Sequence, residues 1–449
     1  MKPNTYHITT FGCQMNERDS ETLAGLLEQL GYAKNQTRQE AQIILLNTCS
    51  IRDNADKRFF GTLGQLKRLK QNQPDRLVAV CGCMMQQDRI VETLKKKYPW
   101  VDLVFGTQNI DEFPELLHQA ATQAKILIQT YEDRSDIVEG LPASRRYPFK
   151  AYINIMFGCD NFCTYCIVPY TRGREKSRSP EAILDEARRL ADDGTKEIML
   201  LGQNVNSYKG SGGVSFAALI RQLEEVAGIE RIRFMTSHPK DLSTELIEAF
   251  RRPKALCPHI HLPVQSGSTA VLARMNRRYS RDQYLELVDR LRQANPEISL
   301  TTDIIVGFPG ETEEDFQDTL SLIEQVRFSS AFTFIYSPRE GTPAAGMDEQ
   351  ISEAVKHERF DRLVDLVNHI SITENQKQVG KTVSVLVEGP SKTDNSLWSG
   401  RTPEHRLVNF RSLERPQSLS PAADLSGQIV RVRVSAANTF SLNGEAVSP

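Results

Sequence analysis

Cys159, Cys163 and Cys166 stand at CxxxCxxC spacing within the stretch FGCDNFCTYCIVPY. Three thiolates within eight residues, with aromatics and a glycine but no histidine among them, suit a [4Fe-4S] cluster held at three of its four irons. The fourth iron is then open, and an open iron can chelate a substrate through an amino and a carboxylate group. Zinc is the competing ligand, but zinc sites pair CxxC units and close with a fourth ligand, and none lies nearby. Buried thiols acting as small hydrophobes account poorly for this density.

A second trio is dispersed. Cys13 follows the apolar run Tyr6 to Thr10, Cys49 follows Ile43 to Asn47, and Cys83 follows Leu77 to Val80. Helical patterns come after each cysteine, over Glu17 to Leu30, Arg52 to Lys70 and Gln86 to Lys97. Strands alternating with helices predict a parallel sheet whose ligand crevice lies at the carboxyl ends of the strands. The three thiols, 36 and 34 residues apart, are therefore expected to converge. Cys81 competes with Cys83 after the same strand; the turn position selects Cys83 and leaves Cys81 a buried strand-end thiol. Core cysteines are the alternative for all three, and their shared strand-end position argues against it. No GxGxxG opens the first helix, so nucleotide binding is not expected of this domain. Residues 1–140 form the expected α/β domain, and Glu132 to Arg146, with Gly140 and Pro142, reads as a linker.

Over residues 147–375 six strands are expected: Tyr152 to Met156, Glu197 to Leu201, Arg231 to Thr236, His259 to Leu262, Leu300 to Val306 and Ala331 to Ile335. Six βα units fall short of the eight that close a barrel, which predicts a partial (β/α)6 barrel with a lateral opening for a large substrate. Amides and hydroxyls recur at successive strand ends. Gln203, Asn204, Ser237 and Gln265, with Ile305 ahead of the turn VGFPGET, are the expected cofactor contacts. His238 and His261 are left as ordinary strand-end histidines. Arg172, Arg174, Lys176 and Arg178 begin six residues after Cys166, and the readings are phosphate contact or a solvated loop.

Residues 376–449 change to short alternating strands, which implies a small β-barrel with Arg431 and Arg433 outward. Nine basic against six acidic residues leave this module at +3, suited to an RNA backbone or, alternatively, to packing. The whole chain is at -2, so no global field draws it to nucleic acid. No apolar run approaches the ~20 residues of a membrane span, and the start lacks a signal-peptide pattern. Eight cysteines in 449 residues are too few for a disulfide scaffold, and a cytoplasmic location is expected.

The triple-cysteine motif, with the aromatic Tyr165 just before its last cysteine, resembles the radical S-adenosylmethionine (SAM) enzymes. That resemblance implies SAM bound at the open iron, Tyr165 packed on its adenine, and reductive cleavage to a 5'-deoxyadenosyl radical. The full chain resembles the methylthiotransferases through FGCQMN, LNTCSIRDNA, CGCMMQ, LLGQNVNSY, HLPVQSGS, TDIIVGFPGET and GRTPEHRLVNF. It implies a second [4Fe-4S] cluster at Cys13, Cys49 and Cys83, two SAM molecules and a C-terminal TRAM domain. CSIRDNA, GQNVNSY and the TRAM-like arginines are most similar to members that add a methylthio group to carbon 2 of a prenylated tRNA adenosine, N6-isopentenyladenosine, beside the anticodon. The implied partners are the tRNA anticodon stem-loop, held by Arg172, Arg174, Arg178, Arg431 and Arg433, an electron-donor protein and a sulfur source. No membrane is implied, and a monomer is expected. Three other functions stay open: methylthiolation of a ribosomal-protein aspartate, methylthiolation of another modified tRNA adenosine, and a non-catalytic RNA-binding iron-sulfur protein.

Overall fold

Strand Ile43–Thr48 is buried at every position, as a parallel strand covered on both faces must be. This computed structural model describes residues 4–50, 53–123, 125–131, 134, 136–412 and 424–447. Ile43–Thr48 pairs parallel with Thr5–Thr10 and Leu77–Gly82, and the six-stranded sheet extends through Leu103–Phe105 to Leu127–Gln129, with Ala33–Lys34 on the other edge. Helices Gln14–Gln29, Asp53–Asn72, Asp88–Lys97 and Phe113–Thr122 cross between strands. One face buries Leu23, Leu27, Phe105 and Phe113, and the other Phe59, Leu63 and Val80. Arg52, the expected start of the second helix, and Glu132, the expected start of the linker, lie outside the described residues. The later linker packs on the first helix: Ser144 N–H donates to Glu21 O at 2.8 Å, and a Cβ on Gly25 would stand 2.8 Å from Ala143 N.

The six barrel strands are Lys150–Asn154, Glu197–Leu201, Arg231–Phe234, His259–His261, Ser299–Val306 and Ser330–Ile335. They form two three-stranded parallel sheets rather than one ladder. Between the halves runs RRPKALCP, whose Pro253 and Pro258 have no N–H to give, and the isolated bridge Ile232–Leu256 ties this segment to strand Arg231–Phe234. The lateral opening lies between the edge strands Lys150–Asn154 and Ser330–Ile335. On the latter, Phe332 and Phe334 are 48% and 37% exposed. Ser179, Ser215, Ser243, Ser268, Ser280 and Thr312 each accept a hydrogen bond from the first turn of the helix they start, which explains why these helices begin where they do.

The last strands, Thr382–Pro390, Trp398–Arg401, Leu407–Arg411, Ile429–Ala437 and Leu442–Ala446, close into the expected small barrel around Val385, Val387, Val408, Phe410, Val432 and Val434. Alternation leaves Arg431 and Arg433 exposed. This module caps the amino ends of the large barrel's strands. Arg231 donates to Arg401 O at 2.8 Å, and Arg233 to Thr402 O at 2.7 Å and Pro403 O at 2.8 Å. Glu197 anchors the junction between Arg233 at 2.9 Å and Lys150 at 3.2 Å, and Lys150 also bonds Glu388. Among the described residues no helix is long and apolar enough to cross a membrane.

Burial works against the charge of Glu197, but Arg233 and Lys150 outweigh it and hold the carboxyl down to about 2, from an ordinary 4.5. Its stabilisation is therefore present above the unfolded value and is lost as the pH falls through the folded one. Glu197→Gln should remove about 3 kcal/mol at pH 7 by leaving Arg233 buried without its anion, with the loss shrinking below about pH 4. Thermal melts at both pH values check this; equal stability of the two proteins at pH 7 would contradict it.

Candidate active site

The dispersed thiols meet where three neighbouring strands end. Cys13 starts the first helix, Cys49 follows Ile43–Thr48, and Cys83 opens a 3-10 turn after Leu77–Gly82. Asn16, one turn into the first helix, stands between them. Its Oδ1 lies 3.9 Å from both Cys13 Sγ and Cys83 Sγ, while its Nδ2 donates to Phe11 O at 2.9 Å and Thr48 O at 2.6 Å. Gly12, at φ +115°, admits Cys49: a Cβ there would stand 2.4 Å from Cys49 Cβ and 2.6 Å from its Sγ. The Cys49 side chain, and then the charge of Arg172, lower the Cys13 thiol to about 6 against the effect of burial. Burial raises Cys83, with Arg172 opposing it. Cys81 is different, since it packs in the apolar core with Leu45 and Phe105, and burial raises its thiol far up.

The second trio sits on the loop after Lys150–Asn154. Cys159 N–H donates to Gly173 O at 3.2 Å, Cys166 N–H to Cys163 O at 2.9 Å, and Thr164 N–H to Met275 O at 3.0 Å. Gly158, at φ +75°, lets the loop pass the returning chain, for a Cβ there would overlap Arg174 O at 2.0 Å. Phe162 takes φ +46°, and Asn276 secures that strained turn by donating to Asn161 O at 3.2 Å and Phe162 O at 2.9 Å. Asn161 Nδ2 approaches Cys159 Sγ at 3.5 Å, and buried Arg277 approaches Cys163 Sγ at 3.6 Å through Nη1. Burial pushes Cys159 up to about 11 and Cys166 up to about 12.

A cavity of about 580 Å³, of ordinary size for a small-molecule site, lies against Cys166. Its walls bring together Tyr165, Gln265 and Ile305 with Asp303, Tyr336 and Arg339. Gln265 holds φ +72°, with its N–H on Asp303 O and its carbonyl accepting from Ile305 N–H, both at 2.9 Å. Gln203 and Ser237 lie off this wall. Gln203 Nε2 contacts Met15 Sδ at the domain junction, while Gln203 Oε1 and Ser237 Oγ are buried without a hydrogen-bond partner. Such orphaned atoms are what a bound polar group would satisfy. Asn204 is corrected from cofactor contact to turn support. It is fully buried, its Nδ2 donates to Asp241 at 2.7 Å, and its Oδ1 accepts from His238 N–H at 3.2 Å.

Three family models match in order: Uncharacterized protein family UPF0004 over residues 5–106, the Radical SAM superfamily over 153–323 and the TRAM domain over 376–447. The chain is 55% identical to a protein of Alkaliphilus oremlandii named tRNA-2-methylthio-N(6)-dimethylallyladenosine synthase, across 99% of this chain and 93% of that one. A protein of the same name from Clostridioides difficile is 50% identical across 98% of this chain and 91% of that one. The chain belongs to the tRNA-2-methylthio-N(6)-dimethylallyladenosine synthase family. Two solved structures share the fold. The radical SAM methyltransferase TsrM of Kitasatospora setae has a TM-score of 0.55 at 12% identity, covering 76% of this chain and 77% of that one. The radical enzyme OxsB has 0.51 at 12%, covering 81% and 56%.

As a member of this synthase family the chain is a radical SAM enzyme, a class that uses a [4Fe-4S] cluster and SAM. The residues present fit such groups. All eight cysteines are free of disulfides, and among the described residues no three Cys, His, Asp or Glu side chains meet at one metal ion. A cubane cluster asks for something else, one thiolate for each of three separate irons. Two arginines of the chain need correction, because burial removes them from solvent and so from tRNA phosphates. Arg172 is bound to Cys83 and Asp19. Arg178 is bound to Glu139, Glu186 and Asn154 O. Arg174 stays exposed, paired with Asp160 at 3.0 Å and lying over the Phe162 ring. Asn16 and Arg277 were not singled out from sequence. Asn16 could have been, as the polar residue one helical turn after Cys13, but Arg277 lies 111 positions beyond Cys166 with no spacing to link them.

If Cys13, Cys49 and Cys83 hold a cluster of their own, Gly12→Ala should displace Cys49 and empty that site, leaving about half of the iron per chain after anaerobic reconstitution. Cys81→Ala, inside the core, should keep all the iron and cost about 1 kcal/mol of packing. Iron and sulfide assays on both proteins check this; iron loss in the Cys81 variant would reverse the assignment.

Proposed function

We propose that this enzyme adds a methylthio group to carbon 2 of a prenylated adenosine beside the anticodon of tRNA, using two [4Fe-4S] clusters and two SAM molecules. The observation that carries the reading is the meeting of the two thiol trios at one domain junction. The barrel trio and the N-terminal trio are joined through Arg172, which follows Cys166 by six residues and reaches Cys83 at 3.1 Å. When bound, these groups supply an electron for SAM cleavage at one site and a place to hold the transferred sulfur at the other. An aromatic C–H bond is too strong for acid-base chemistry, so a division of this kind suits the reaction. The relatives' shared name supports a dimethylallyl-bearing tRNA adenosine over a protein aspartate.

The chain's own residues have definite tasks in this reading. Cys159, Cys163 and Cys166 hold the cluster beside the cavity, and Tyr165, Gln265 and Ile305 line that cavity for SAM. Cys13, Cys49 and Cys83 hold the second cluster. Ser237 and Gln203, each just past the end of a barrel strand, offer their unpaired oxygens. Neutral His238 accepts from Lys240 N–H at 3.2 Å, and burial lowers it to about 2, so it does not serve as a proton donor near neutral pH. Arg174, Arg431 and Arg433, all exposed, contact tRNA phosphates. The enzyme works as a monomer in the cytoplasm, with an electron-donor protein and an external sulfur source.

Anaerobic reaction of prenylated tRNA with SAM and a reductant, followed by mass spectrometry of the nucleosides, tests the reaction. Methylthiolated adenosine should form only when the prenyl group is present. Formation on a ribosomal-protein aspartate instead would overturn the substrate, and Cys159→Ala, Cys163→Ala or Cys166→Ala should abolish 5'-deoxyadenosine. Replacing Arg431 and Arg433 by Ala should weaken tRNA binding and lower the slope of log K against log salt by about 1 per lost phosphate contact. An unchanged salt slope would leave the C-terminal barrel a packing module.

A further inference from the structure

Each thiol trio has one buried arginine beside it, and the two are used differently. Arg277 stays within the barrel: its Nε donates to Tyr279 OH at 2.9 Å, its Nη2 to Pro263 O, and its approach to Cys163 Sγ is long at 3.6 Å. Arg172 crosses between domains. It ends the short helix Val168–Arg172, which begins two residues after Cys166, and its side chain enters the N-terminal site. There Nε donates to Cys83 Sγ at 3.1 Å, and Nη2 to Asn16 Oδ1 and Asp19 Oδ2, both at 3.0 Å. Its neighbour Gly173 accepts the Cys159 N–H at 3.2 Å. One dipeptide therefore touches a thiol-bearing residue of each site.

We propose that Arg172 is a positioning residue that locks the N-terminal thiol site against the barrel site and, through its cationic hydrogen bond to Cys83, favours the reduced state of the cluster held there. The proposal rests on the two-cluster reading above. A guanidinium is charged in any protein environment, and the carboxylate of Asp19 lies 3.0 Å from this one. Asp19 supplies one anion and aims the group; the remaining N–H bonds fall on the thiol and on Asn16, the residue lying between Cys13 and Cys83. The planar guanidinium holds the sulfur through Nε and two oxygens through Nη2 in a fixed geometry, which an ammonium on a flexible stem reproduces less rigidly. Reducing a cluster adds negative charge, and a hydrogen bond from a cation to a ligating sulfur stabilises that state most, which raises the reduction potential.

The test uses the full chain with Cys159, Cys163 and Cys166 replaced by Ala, reconstituted anaerobically with iron and sulfide, so that only the N-terminal cluster is titrated. Failure of this parent to hold iron would overturn the two-cluster reading itself, apart from any role of Arg172. Given a cluster, redox titration followed by electron paramagnetic resonance compares the parent with Arg172→Gln and Arg172→Lys. Arg172→Gln should shift the one-electron equilibrium at least tenfold toward the oxidised form, about 59 mV more negative, and Arg172→Lys should recover part of that shift. A midpoint in Arg172→Gln equal to the parent's overturns the proposal. Should Arg172→Gln hold no iron, Arg172→Lys decides: a midpoint below the parent's supports the proposal and an equal one overturns it. Loss of iron from both variants overturns it too, by making Arg172 a residue for cluster uptake rather than for tuning.

Discussion

A guanidinium taken out of water must be met by anions and acceptors, and Arg172 finds Cys83, Asp19 and Asn16 where the N-terminal domain meets the barrel. Further contacts across that junction come from helix Gln14–Gln29. Arg18 pairs with Glu186 at 2.9 Å, Tyr152 OH donates to Glu17 at 2.8 Å, and Met15 packs on Met199 and Leu201. Residues 15 to 19 of one helix thus provide an apolar contact, an acceptor for the arginine and its counter-ion. The two thiol sites cannot drift apart without exposing an apolar patch and stranding a buried cation.

The barrel gives the molecule a polarity that divides its tasks. Strand carboxyl ends face the N-terminal domain and the cysteines, while strand amino ends are closed by the small barrel through Arg231, Arg233 and Glu197. A strand of five residues is about 17 Å long, so a ligand that touches both Arg174 and the exposed Arg431 and Arg433 has to pass along the side of the large barrel. The unpaired edges and the exposed Phe332 and Phe334 lie on that side.

Several features were legible in the sequence because they depend on local order. CxxxCxxC spacing is chemistry written in consecutive residues, alternation in residues 429 to 434 decides which side chains face out, and strand-turn-helix alternation decides that Cys13, Cys49 and Cys83 stand at strand ends. Cys81 and Cys83 are separated by the period of the strand and the turn that follows, and the structure puts the first in the core and the second in the crevice. Other features were not legible, since charge and spacing do not say what lies opposite. Arg172, Arg174 and Arg178 look alike in sequence, yet Arg172 and Arg178 are buried against carboxylates while Arg174 is exposed. Asn204 reads as a ligand for a cofactor until Asp241 and the His238 N–H appear beside it. Arg277 comes to Cys163 only through the folding of the barrel. The sequence by itself determined which thiols are placed at loop and strand ends, because periodicity and turn residues act over a few positions. Tertiary structure decided which polar side chains serve those thiols, because burying a charge selects partners by position in space and not by distance along the chain.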